Sequence, residues 1–163
     1  MRTAREAGRP PTVLPGVLLG IGLGGLADGI VLHQILQWHH MLSAEGGYPT
    51  TTVGGLEANT LADGLFHVAA TVAVLAGIWM LWRTSAQGRA TVTRRVLVGS
   101  ILMGWGLFNV VESLIDHQIL GLHHVRDDLG GPLSWDIGFL VVSGALALAG
   151  WAVARSARHG AAG

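Results

Sequence analysis

The chain contains no cysteine. That excludes disulfides, thiolate catalysis, iron–sulfur clusters and any cysteine-ligated zinc site. Charge is also scarce. Only 12% of the 163 residues are Asp, Glu, Lys or Arg, and the formal net charge is zero. No basic stripe with interleaved aromatics exists, so nucleic acid is not an expected partner. Half of the residues are hydrophobic, with a mean hydropathy of +0.51. Such a composition belongs to a polytopic membrane protein with the lipid bilayer as its surroundings.

Four apolar runs stand out, at about 13–38, 59–82, 96–122 and 133–154. Each reaches the roughly 20 residues a transmembrane helix needs. The expected fold is therefore an all-α membrane protein, four transmembrane helices in a bundle. Tails at 1–12 and 155–163 flank the domain at 13–154, and the C-terminal tail is expected to be disordered. Arg2, Arg5 and Arg9 before an apolar stretch resemble a signal peptide, but the stretch is too long for one.

Arginine sets the expected orientation. Arg2, Arg5 and Arg9 precede the first run, Arg83, Arg89, Arg94 and Arg95 separate the second from the third, and Arg155 and Arg158 follow the fourth. The other two loops carry Glu45, Glu57, Asp127 and Asp128 against a single Arg126. The positive-inside rule then puts both termini and the loop between the second and third runs in the cytoplasm, in a cytoplasmic membrane, with the ends of the first and third runs and both His pairs outside. Trp38 and Trp135 fit an interfacial aromatic belt.

The polar residues inside the runs are not scattered. Asp28-Gly-Ile-Val-Leu-His33-Gln34-Ile35-Leu36-Gln-Trp-His39-His40 returns 84 positions later as Glu112-Ser-Leu-Ile-Asp-His117-Gln118-Ile119-Leu120-Gly-Leu-His123-His124. Gly20 and Gly22 pair with Gly104 and Gly106 at the same offset, and Asp63-Gly-Leu-Phe66 weakly matches Asp136-Ile-Gly-Phe139, with His67 opposite Leu140. This reads as two parallel two-helix repeats. Gly16, Gly20 and Gly24 form a small-residue face on the first span, which allows close helix packing and permits a homo-oligomer.

The string from Asp28 to His40, the Ala62-Asp-Gly-Leu-Phe-His67 segment and the Gly104-Trp-Gly-Leu-Phe-Asn109 lead into Glu112 resemble the DUF2243 family of bacterial multi-pass membrane proteins. The resemblance covers nearly the whole chain apart from its two tails. It implies a small multi-pass membrane protein and assigns no catalytic residues.

Ionisable groups within a membrane are expensive and mark functional sites by default. No Arg or Lys lies inside the apolar runs to pair with Asp28 or Glu112. If the helices stay regular, His33 and His40 share a face about 10 Å apart, as do His117 and His124, while His39 and His123 point away toward the loop. Asn59, Asp63 and His67 share a face of the second span. His33, His67 and His117 can then converge, with His40, His124, Asp63 and Asp136 as further ligands. Gln34, Gln118 and Asn109 would orient the imidazoles. Asp28, Glu112 and Asp63 are the candidate general bases.

A sulfur-free N/O donor set suits Zn, Fe or Cu(II). Three His with an open position match catalytic zinc, and two ligand layers match a dinuclear centre in a helix bundle. The expected function is a membrane protein with a transition-metal site near the outer face, hydrolytic or redox. The alternatives are a haem-binding electron-transfer protein with bis-His ligation, and a non-enzymatic metal-handling or oxidase-assembly protein. Hydrogen-bonded packing of the His is the plain competitor to all three.

Overall fold

The computed structural model describes residues 12–44, 47–87 and 93–159. Arg2, Arg5, Arg9, Glu45, Arg89 and most of the two tails lie outside them. Every long element is a helix, and no strand occurs among the described residues.

α1 (Leu14–Asp28) starts with Pro15 in its first turn, where a missing N–H costs nothing. It runs straight into a π-helical segment, Gly29–Ile35. α2 (Val53–Ala86) is capped by Thr52, whose side chain accepts from Gly55 N–H. α3 (Arg94–Glu112) is capped in the same way by Thr93, accepting from Val96 N–H. It too ends in a π-helical segment, Ser113–Ile119. A short 3₁₀ turn, Asp127–Leu129, precedes α4 (Leu133–His159). α4 continues as helix through Arg155 to His159, past the apolar run. Helical hydrogen bonding does not require apolar side chains, so residues 155–159 of the expected tail are helical.

Four helical stretches are long and apolar enough to cross a membrane: Leu14–Ile35, Val53–Ala86, Arg94–Ile119 and Leu133–Ser156, with mean hydropathies of 1.5 to 2.1. α2 has 34 residues, or about 50 Å of helix, so it exceeds a bilayer core of about 30 Å.

The helices stand in the order α2, α1, α3, α4. α1 packs on α2 and α3, α3 packs on α4, and α2 and α4 do not touch among the described residues. Glycine sets the closest crossing. A Cβ on Gly20 would sit 2.1 Å from Ile101 O, and one on Gly104 would sit 2.2 Å from Val17 O. No side chain larger than hydrogen fits there. The whole Gly16/Gly20/Gly24 face lies against Ser100, Gly104 and Trp105 of α3, so this small-residue stripe is used inside the chain.

The interior is polar and the exterior apolar. His33, His123, Asn59 and Asp63 are among the largest fully buried side chains, whereas Leu61, Leu65, Val141, Val142 and Leu148 are more than 60% exposed. This inversion is what a lipid solvent selects, since apolar groups gain nothing by leaving it and polar groups must find partners inside.

Candidate metal centre

Both π-helical segments end alike. Leu36 N–H reaches back to Val31 O and Trp38 N–H to Leu32 O; Leu120 N–H reaches Ile115 O and Leu122 N–H reaches Asp116 O. The chain then reverses at Gln37 (φ 50°) and Gly121 (φ 59°), a left-handed conformation that suits glycine better than glutamine. Wide π turns recur at functional sites because they re-aim side chains. Here they aim His33 and His117 inward.

The reversal folds both loops back over the helix ends. His39 and His123 do belong to loops, but the loops carry them into the centre. They are 2% and 0% exposed, and their rings stack with centroids 4.7 Å apart. His33 lies 4.5 Å from His39, and His117 lies 4.7 Å from His123, centroid to centroid. The His33 and His40 ring centroids are 6.4 Å apart, closer than the 10 Å of a regular helix, because the helix stops at Ile35.

Asp63 and Asp136 sit outside this group and hold it. Asp63 accepts from His33 Nδ1 at 2.9 Å, His40 Nδ1 at 2.7 Å, Gln34 Nε2 at 3.1 Å and Met41 N–H at 3.0 Å. Asp136 accepts from His124 Nδ1 at 2.7 Å, Gln118 Nε2 at 3.3 Å and Val125 N–H at 2.9 Å, with His117 Nδ1 at 3.6 Å. Gln34 and Gln118 thus meet the carboxylates rather than the imidazoles. His39 Nδ1–H donates to Val125 O at 3.0 Å. Burial, followed by repulsion from His123 and His33, keeps the His39 imidazole neutral down to about 2.

These outer bonds fix the tautomers. A carboxylate or carbonyl only accepts, so Nδ1 carries a proton in His33 and His39, and in the neutral imidazole Nε2 presents a lone pair inward. His33 Nε2 faces Asp28 Oδ2 at 3.1 Å, and His117 Nε2 faces Glu112 Oε1 at 3.0 Å. Neither contact has hydrogen-bond geometry. His33 Nε2, Asp28 Oδ2, His117 Nε2 and His39 Nε2 are all buried without a hydrogen-bond partner. His123 Nε2–H donates to the same Glu112 oxygen at 2.9 Å, which leaves His123 Nδ1 as its unpartnered nitrogen. Two sets of ligand atoms converge within 4.8 Å: His33 with His39 and His123, and Glu112 with His117 and His123.

Two candidates stand apart. His67 is tucked against Gly29, where a Cβ would come within 2.4 Å of its Nε2, and it belongs to neither convergent set. Asn109 is buried with its side-chain oxygen unpartnered. His39 and His123 are the residues that helical spacing alone under-weighted. The 84-residue recurrence of the whole His-His pair was the available signal.

The loops are stitched together above the centre. Ala44 N–H donates to Leu122 O, Asp128 N–H donates to Trp38 O, and Ser43 Oγ bonds Asp127. The Arg126 guanidinium lies over Trp38 at 4.5 Å and Trp135 at 5.0 Å while its fork holds Asp128.

No curated protein and no solved structure matches the chain. The family profile described as "Predicted membrane protein (DUF2243)" matches residues 15–157. The chain, with its four membrane-capable helices and buried His/carboxylate cluster, belongs to the DUF2243 family of membrane proteins.

Proposed function

We propose that this is an integral membrane metalloprotein whose transition-metal centre is built from Asp28, His33, His39, Glu112, His117 and His123. One observation carries the reading. Buried imidazole nitrogens face buried carboxylate oxygens at 3.0–3.1 Å without hydrogen-bond geometry. Unpaired buried polar atoms are costly and rare. Here they point at a common space, as donors to a shared cation do. A purely hydrogen-bonded cluster leaves these atoms orphaned.

His/carboxylate donors without sulfur favour iron, manganese or zinc over Cu(I). Glu112, His117 and His123 form a two-His, one-carboxylate set, the type that leaves coordination positions open on a non-haem iron. A closed structural site uses four protein ligands instead. The proposed role is therefore catalytic, with redox chemistry at iron preferred over zinc hydrolysis. When bound, the metal supplies Lewis acidity or an electron at the open position.

The surrounding residues have separable tasks. Asp63 receives four donors, one for each of its roughly four acceptor sites. It is saturated, so it orients His33 and His40 rather than acting as a general base. Asp136 does the same for His124 and for Val125 N–H. Asp28 and Glu112 keep their oxygens toward the centre, and each is placed to hold a proton or a metal. The close ring packing of His33, His39, His117 and His123 favours a bare ion over haem, since no slot the width of a macrocycle separates them.

The topology proposed with this function puts both termini in the cytoplasm and the stitched loops outside, following the arginine distribution. The recurring contacts at His33/Asp63 and His117/Asp136 support an origin in two parallel repeats.

Plasma mass spectrometry of protein purified without chelators tests the metal reading. Near-stoichiometric iron, manganese or zinc is expected, lost in His117→Ala and kept in His67→Ala. No Soret band is expected. A protein that binds no metal when supplied with each of the three ions refutes the proposal.

A further inference from the structure

Building on the metal reading, we infer that the centre takes two divalent ions, one from each half of the chain. The first ion is held by Asp28, His33 and His39, and the second by Glu112, His117 and His123.

Three observations lead there. First, the convergent ligand atoms form two sets that share His123, His33/His39/His123 and Glu112/His117/His123, not one set of five; Asp28 adjoins the first through its 3.1 Å approach to His33 Nε2. A single ion at the midpoint cannot reach them all. Second, the spacings suit coordination. Two donors at right angles, each about 2.1 Å from one ion, are about 3 Å apart. His33–Asp28 and His117–Glu112 measure 3.1 and 3.0 Å. His39 Nε2 is buried and unpartnered, and it converges with the ligand atoms of His33 and His123. Third, the charge balances. Asp28, Asp63, Glu112 and Asp136 are four carboxylates, each at most 7% exposed, and no Arg or Lys meets any of them among the described contacts. Buried charge without compensation is strongly unfavourable. With the facing imidazoles neutral, as ligation requires, two divalent cations neutralise all four, and one leaves half uncovered.

The stacked His39 and His123 rings bring the two sets together. His123 also lies within 4.8 Å of the His33/His39 donors. That proximity fits a two-metal centre with ions about 3.5–4 Å apart, which can share one small substrate or one bridging oxygen ligand. Each half contributes two His and one carboxylate, so each ion keeps open positions and both can face that substrate.

The test counts ions. Full-length protein in detergent is stripped, loaded with Co(II), desalted and analysed by plasma mass spectrometry. Two Co(II) per chain are expected. His39→Ala and Glu112→Gln should each fall to one. Circular dichroism of the loaded variants confirms retained helix. Saturation of the unaltered protein at one Co(II) overturns the two-ion inference and leaves the metal reading intact. No bound Co(II) overturns both. Two ions that persist in both variants place the metals elsewhere and overturn the assignment.

Discussion

Removing the carboxylate of Asp63 separates orientation from ligation. Asp63→Ala takes the acceptor away from His33 Nδ1, His40 Nδ1, Gln34 Nε2 and Met41 N–H at once. None of these contacts involves an inward-facing atom, so the proposed metal donors all remain. What goes is the anchor that keeps Nε2 of His33 turned inward. Loss of such an outer partner typically weakens metal binding by about 10–100-fold, or about 1.4–2.7 kcal/mol. The fully buried His33 N–H, now without an acceptor, costs about 1–3 kcal/mol of stability. Asp63→Asn keeps one oxygen acceptor and should recover part of both losses. The assay is Co(II) affinity by competition with a chromophoric chelator, beside thermal unfolding in the same detergent. Gln118→Ala, which removes only a 3.3 Å bond, is the mild comparison. An Asp63→Ala protein that binds Co(II) within threefold of the unaltered chain and melts at the same temperature would refute the orienting role.

The remaining predictions concern packing, acidity and topology. Gly20→Ala forces a Cβ to within 2.1 Å of Ile101 O, an overpacking that costs about 1–3 kcal/mol or more. Gly144→Ala meets nothing within 4 Å and should be neutral or slightly stabilising by thermal melt. His39 is held neutral to about 2 in the folded chain, while an unfolded imidazole takes its proton near 6.5. Below that pH the unfolded state binds the extra proton. The metal-free protein should therefore lose stability as pH falls from about 6.5, by up to about 1.4 kcal/mol per unit. His39→Ala should flatten that slope in an unfolding series across pH 7 to 5, and an unchanged slope would remove His39 as its source. A reporter inserted at Gly47 should read external and one fused after Arg158 cytoplasmic; the reverse pattern would invert the proposed orientation.

The spans were readable from sequence because lipid exposure imposes length and hydropathy directly on composition. Leu61, Leu65, Val141 and Leu148 announce their surroundings by being apolar. The buried polar cluster was readable for the complementary reason: Asp28, His33, Glu112 and His117 are conspicuous where polarity is expensive. Their arrangement was harder to read. A π turn is a backbone hydrogen-bond choice with no residue signature, so regular helical spacing misplaced His40 relative to His33. The reversal at Gln37 needs a positive φ that glutamine does not advertise, although Gly121 in the matching place does. Helical periodicity also gives the face of α2 that carries His67 without telling which neighbour that face meets. It meets Gly29, not His33.

The cross-stitching of the two loops has a consequence for how the molecule is made. His39 belongs to the first third of the chain, yet the carbonyl that fixes its tautomer belongs to Val125. A ribosome has therefore delivered α1, α2 and α3 to the bilayer before His39 can adopt its final state. Until then Asp28 and His33 share the membrane with an incomplete set of partners. Assembly of the buried His/carboxylate cluster is therefore a late event in the life of the chain.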